Sequence, residues 1–137
     1  LADFLVEAGE ILEQLQGQLV ELENNPEDAN LLNAIFRGYH TVKGGAGFLS
    51  LNELVDICHG AENVFDVMRN GQRALTPELM DAILHATDEV VQMFELVKAG
   101  EPLVAVEKSL IDTLTRLSKP ESLDEITSVN KPEANVD

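Results

Sequence analysis

The sequence predicts an all-α protein, an antiparallel up-down four-helix bundle with an additional C-terminal fifth helix. Two observations carry that prediction. Apolar residues recur every three or four positions over stretches of about 20 residues, separated by short, sharply punctuated breaks. Although 45% of the 137 residues are hydrophobic, only 4% are aromatic and Trp is absent, a balance that suits helices better than a sandwich or barrel.

The first helix is expected from about Asp3 to Asn24. Phe4, Leu5, Ala8, Ile11, Leu12, Leu15, Leu19 and Leu22 share one stripe, with Glu7, Glu10, Glu13 and Glu21 opposite. Asn24-Asn25-Pro26 ends it, and Pro26 suits the first turn of the next helix. The second carries Leu32, Ile35, Phe36, Tyr39, Val42 and Ala46 at helical spacing and ends near Leu49. Ser50-Leu51-Asn52-Glu53 reads as a capping box that opens the third, with Leu49 and Leu54 as a hydrophobic staple. That helix turns Leu54, Val55, Cys58, Ala61, Phe65 and Met68 inward and stops around Gly71.

Thr76-Pro77-Glu78 opens the fourth helix, a capping hydroxyl followed by proline at the first helical position. Its stripe is Leu79, Met80, Ile83, Thr87, Val90, Val91, Phe94 and Val97, and Gly100 marks its end. A shorter fifth helix is expected from Pro102 to about Ser118, with Leu103, Val106, Leu110, Leu114 and Leu117 inward. Short connections between long amphipathic helices make neighbours antiparallel. Residues 1–118 therefore read as one domain. Beyond them Pro120, Ser122, Asp124, Ser128, Pro132 and Glu133 dominate, and 119–137 reads as a linker or disordered tail.

Composition bounds the function. A net charge of −16, from 25 acidic and 9 basic residues, argues against nucleic acid as a partner, because phosphate binding needs a concentrated positive face. No apolar run approaches a membrane span and no basic segment precedes one, so no membrane partner is expected. With a single cysteine, Cys58, no internal disulfide can form, and a cytoplasmic location is expected. The chain begins at Leu1 and not at Met, which is expected of a piece of a longer protein.

The stretch Tyr39 to Phe48, YHTVKGGAGF, holds Gly44, Gly45 and Gly47 inside an otherwise helical pattern. A loop does not explain why the apolar period continues through Val42 and Ala46. As helix, each glycine costs roughly 1 kcal/mol relative to alanine. A phosphate-binding loop is a poor match, since the lysine precedes the glycines and no strand leads in. Close packing of two helices is one explanation. The helical wheel offers another: with Tyr39, Ile35 and Ala46 inward, His40 falls on the flank, and Gly44 and Gly47 lie near it. Those two glycines would bare the surface around the imidazole and give a large visitor access.

Lys43 reaches the same neighbourhood. On the third helix Glu62 sits at the edge of the inward stripe, and His59 lies one turn before it. In a hairpin about the Leu49-Ser50 turn, His40 and Glu62 come roughly level. A carboxylate beside an imidazole accepts the Nδ1 proton, fixes the tautomer and leaves the Nε2 lone pair outward. Two other readings compete. His40, His59 and Glu62 could hold a metal, although the His59/Glu62 order is the reverse of the Glu-x-x-His used in di-iron bundles. The chain could also be a structural helical adaptor with a surface histidine. His85 reads as a surface residue and Cys58 as core.

His40-Thr41-Val42-Lys43-Gly44-Gly45-Ala46 resembles the motif of histidine phosphotransfer (HPt) domains, H-[ST]-[IVL]-K-G-x-[AS]. Leu32 to Arg37 and His59-x-x-Glu62 are more narrowly similar to the amino-terminal phosphotransfer domain of CheA-type chemotaxis histidine kinases. The similarity covers roughly 3–117. It implies that His40 accepts a phosphoryl group from ATP on Nε2 and passes it to an aspartate of a response regulator such as CheY or CheB. It further implies that Glu62 bonds the Nδ1 side of His40, and that Lys43 and His59 join the polar network. The implied partners are the kinase catalytic domain of the same or a sister chain and receiver domains. No cofactor is expected on this chain, with ATP and Mg²⁺ on those partners. An HPt-like domain of another hybrid phosphorelay kinase is the nearest alternative.

Overall fold

The computed structural model of the protein describes residues 1–121. Five helices occur among them: α1 (Ala2–Asn24), α2 (Ala29–Phe48), α3 (Asn52–Arg69), α4 (Pro77–Ala99) and α5 (Lys108–Leu117). Helices α1 to α4 form the bundle, each packed on its neighbours in chain order and α1 closing on α4, while α5 lies against α3 and α4. The contacts show antiparallel neighbours. Gly38 of α2 meets Leu15 and Ile11 of α1, and Gly45, further along α2, meets Phe4. No helix of the described residues is long and apolar enough to cross a membrane.

The core is aliphatic, with Leu15, Leu19, Leu22, Ile35, Leu54, Ile57, Leu79, Ile83 and Leu114 fully buried. Within it Tyr39 and Thr87 make a polar link. Tyr39 is fully buried with its ring stacked on Phe65, 5.8 Å between centroids. Its hydroxyl hydrogen-bonds Thr87 Oγ1, and Thr87 also donates to the Ile83 carbonyl at 2.8 Å. Burial raises the Tyr39 pKa well above its ordinary value, so the phenol keeps its proton and this bond. The bond joins α2 to α4 and allows α2 little rotation about its axis.

Three local expectations need correction. Helix α2 does not begin at Pro26; Asp28 is its N-cap and accepts from Leu31 N at 3.1 Å, because an aspartate can satisfy a free first-turn amide and proline cannot. The α5 helix is shorter than the sequence pattern suggests, starting at Lys108 and not Pro102. The β-branched Val104 and Val106 disfavour helix, and Leu103 and Val106 reach the core from a non-helical segment. Helix α3 ends at Arg69, and Gly71 stands just past its C-cap, as expected.

The third correction concerns Ser50, which does not cap α3; the N-cap is Leu51, without a side-chain bond. Ser50 instead terminates α2. Its φ is +60°, Ser50 N donates to Gly47 O at 3.1 Å and Leu51 N donates to Ala46 O at 2.8 Å. That pair of bonds is the Schellman arrangement, which favours glycine at the left-handed position. Gly71 and Gly100 close α3 and α4 with the same pair of bonds at φ of +74° and +72°. The Thr76 cap of α4 is as expected, accepting from Leu79 N at 3.2 Å.

At the C-terminal end, Arg73 donates to the Lys119 carbonyl at 2.9 Å, and Glu121 bonds the α3–α4 loop through Gln72 O and Ala74 N. The rest of the expected tail, from 122 onward, lies outside the described residues.

The two roles of Ser50 predict opposite signs for one substitution. As a left-handed terminus, Ser50→Gly relieves strain and raises stability by about 0.5–1 kcal/mol in urea denaturation. As an N-cap it would lose a few tenths of a kcal/mol.

Candidate functional site

The site lies on the α2–α3 face, midway along the bundle. Because Tyr39 points straight into the core, His40, about 100° further round the helix, emerges on the flank. Its side chain is 62% exposed. Glu62 arrives from α3 at the same level, and its side chain is only 6% exposed. His40 Nδ1 and Glu62 Oε2 form a hydrogen bond, and Lys43 Nζ donates to the other carboxylate oxygen, Oε1, at 2.6 Å. One turn of α2 thus supplies both partners of one buried carboxylate.

Burial by itself would raise the Glu62 pKa. The hydrogen bonds from Lys43 and His40, and the charge of both, outweigh it and hold the carboxyl below its ordinary value of 4.5. Glu62 is therefore an anion at neutral pH, able only to accept. Such a carboxylate can only receive a proton from His40 Nδ1, and that contact leaves Nε2 on the other side of the ring.

The chain matches the Hpt domain family over residues 1–100. It is 30% identical, with a TM-score of 0.72, to a solution structure of the histidine phosphotransfer domain of CheA, covering 99% of this chain and 96% of that one. This chain is an Hpt domain of the CheA type. It is also 50% identical over 88 residues to the sensor histidine kinase CheAY of Helicobacter pylori, and 33% identical over 125 residues to the chemotaxis protein CheA of Listeria monocytogenes. The matched segments are 64% and 90% of this chain, but only 11% and 20% of those much longer relatives.

In this Hpt domain the glycines of α2 divide into two groups. A Cβ on Gly44 would meet nothing within 4 Å, and one on Gly47 only Val55 Cγ2 at 3.9 Å. Both residues are exposed and leave the surface beside His40 bare. Gly45 faces α1 instead, where a Cβ would lie 2.7 Å from the Phe4 ring, and Gly38 does the same against Leu15 Cδ2 at 2.8 Å. Those two allow α1 and α2 to approach closely. Surface access and close packing, alternatives in the sequence, are both present on different faces of one helix.

His59 is exposed and its Nε2 pairs with Asn63 at 3.3 Å; among the described residues no hydrogen bond joins it to His40, Lys43 or Glu62. His85 lies away from the site on α4, 3.7 Å from Glu89. Cys58 is fully buried, and desolvation, with a smaller contribution from the Glu62 charge, pushes its pKa up to about 12, so it stays a thiol. No group of three metal-capable side chains occurs among the described residues.

Sequence reasoning passed over two residues here. Phe36 stacks on the His40 ring, and Arg69 lies over Phe36. The signal was present, since Phe36 is four residues before His40, but apolar spacing assigned it wholly to the core.

Two outcomes follow from this geometry. Gly44→Ala gains helix propensity of up to about 1 kcal/mol, whereas Gly45→Ala loses stability because the Phe4 ring must move; chemical denaturation of both variants separates them. The depressed Glu62 pKa contributes stability that is fully present above its unfolded value of 4.5 and is lost as pH falls through the lower folded value. Unfolding free energies measured from neutral pH downward will therefore fall more steeply through that window for the wild type than for Glu62→Gln.

Proposed function

We propose that His40 is the phosphoacceptor of a CheA-type protein histidine kinase, carrying phosphoryl groups from the kinase catalytic domain to receiver domains in chemotaxis signalling. The observation that carries this reading is the His40–Glu62–Lys43 constellation: a shared buried carboxylate holds the Nδ1 proton of an exposed imidazole and leaves Nε2 open to solvent.

The Nε2 lone pair attacks the γ-phosphorus of ATP presented by the catalytic domain. The N–P bond forms as the P–O bond to ADP breaks. No proton need leave the ring, because Nδ1–H stays on Glu62 and the positive charge that develops on the imidazole lies against that carboxylate. Transfer to a receiver aspartate reverses the first half: a carboxylate oxygen attacks phosphorus, the N–P bond breaks and its electrons return to Nε2. Phosphoryl transfer depends on alignment and charge neutralisation more than on covalent chemistry by the carrier. Lys43, 24% exposed and one turn from His40, supplies positive charge beside the imidazole. Mg²⁺ belongs to the partners, with ATP on the donor and in the acidic site of the receiver.

Helix α2 also suits such a partner. It carries no acidic residue, although the chain as a whole holds 25, and its charged side chains are Arg37 and Lys43. An acidic receiver site therefore meets no carboxylate on α2 itself. This role places the chain in the cytoplasm, where ATP and receivers are available.

Incubation with a CheA-type catalytic domain and labelled ATP tests the reading. The chain acquires acid-labile phosphate that chases to an added receiver, His40→Gln acquires none, and Glu62→Gln is slowed on the order of tenfold. Label in His40→Gln would refute it.

A further inference from the structure

Phe36 faces His40 across one turn of α2. The two rings are nearly parallel, 11° apart, with centroids separated by 6.1 Å, an offset stack. The Phe36 ring also carries the Arg69 guanidinium, whose Cζ lies 3.7 Å from the ring centroid, well within range of a cation–π interaction. Arg69 is itself tied down. Its Nε and Nη2 donate to Asp66 Oδ1 at 2.9 and 2.8 Å, and its Nη1 donates across to Asn33 Oδ1 on α2 at 3.3 Å. A continuous set of contacts thus runs from α3 through Arg69 and Phe36 to the imidazole.

The exposed histidine needs such a support. With 62% of its side chain in solvent, little packing restrains its ring torsion. The Glu62 bond holds one ring atom, and the ring can still rock about that contact. A flat neighbour along the ring removes the remaining freedom. The Nε2 lone pair lies in the plane of the imidazole, so rocking out of plane misaims it, and small misalignments are costly when transfer requires an in-line approach.

We infer that Phe36, held in place by Arg69, is a positioning residue that sets the plane of the His40 imidazole. The inference rests on the phosphoacceptor reading of His40 and extends it to two side chains outside the His40–Lys43–Glu62 set. Phe36 does not touch the transferred group; it acts through His40. Loss of the support therefore lowers the rate of transfer within the bound complex and leaves affinity for the catalytic domain intact.

The test uses three variants of this chain with the CheA-type catalytic domain and ATP. Phe36→Leu keeps an apolar side chain against the core and removes the flat face. Phe36→Tyr keeps the face. Arg69→Met keeps the stem and removes the guanidinium at a partly exposed position. Nuclear magnetic resonance reads the ring-current shift of the His40 ring protons, and steady-state phosphorylation separates the saturated rate from the half-saturating concentration of catalytic domain. Phe36→Leu is expected to lose the ring-current shift and about tenfold in saturated rate, with half-saturation unchanged. Phe36→Tyr restores both, and Arg69→Met falls between.

A wild-type saturated rate in folded Phe36→Leu overturns the inference, as does a Phe36→Tyr variant as slow as Phe36→Leu. If Phe36→Leu does not fold, Arg69→Met decides alone, and wild-type rate and ring shift there overturn it. A wild-type chain that takes no phosphate refutes the phosphoacceptor reading instead. The ring protons then still report whether Phe36 and Arg69 fix the imidazole, and an unaltered shift in Phe36→Leu and Arg69→Met overturns that part too.

Discussion

The rotation of α2 about its own axis is the constraint on which the site depends, and Tyr39 sets it. A helix with only aliphatic contacts can rotate by some tens of degrees at modest cost, because the hydrophobic effect has no direction. A buried phenol cannot, because its hydroxyl must keep a partner. The bond to Thr87 and the stack on Phe65 therefore fix α2 against both α4 and α3. His40 follows Tyr39 in sequence, so its position on the flank is determined by its neighbour's burial in the core. Gly38 and Gly45 enforce the same orientation from the α1 side, where a Cβ on either would collide with Leu15 or Phe4.

Glu62 carries the electrostatics in the same economical way. A buried carboxylate without partners would cost several kcal/mol. Here each oxygen has its own donor, from two residues one turn apart on a single helix. The arrangement places an anion behind the imidazole and leaves the far side of the ring toward solvent. It also distinguishes the two ring nitrogens of His40: Nδ1 is bonded to Glu62, and Nε2 takes no part in that contact. The shared carboxylate joins α2 to α3, so the site is assembled only when the two helices pack.

Much of this was legible in the amino-acid sequence because it depends on periodicity. The spacing of Ile35, Tyr39, Val42 and Ala46 gives the inward face of α2, and counting about the α2–α3 turn brings His40 level with Glu62. The misreadings arose where one local pattern serves two structures. Ser50-x-x-Glu53 has the spacing of a capping box, but Ser50 is used in the left-handed conformation that closes the preceding helix. Leu103 and Val106 have helical spacing, yet they cover the core from a non-helical segment. In both cases short-range pattern competes with termination and packing, and those depend on neighbours that spacing does not specify.

By itself the sequence determined the helical class, the bundle, the inward faces and the level at which His40 meets the Glu62 carboxylate, because burial and helical period are encoded residue by residue. Tertiary structure alone decided which glycine faces α1 and which faces solvent, that Thr87 is the partner of Tyr39, and that Arg69 reaches across to Phe36. Those facts depend on the distance and rotation between helices. They emerge only when whole cores have packed, and no single helix carries the information.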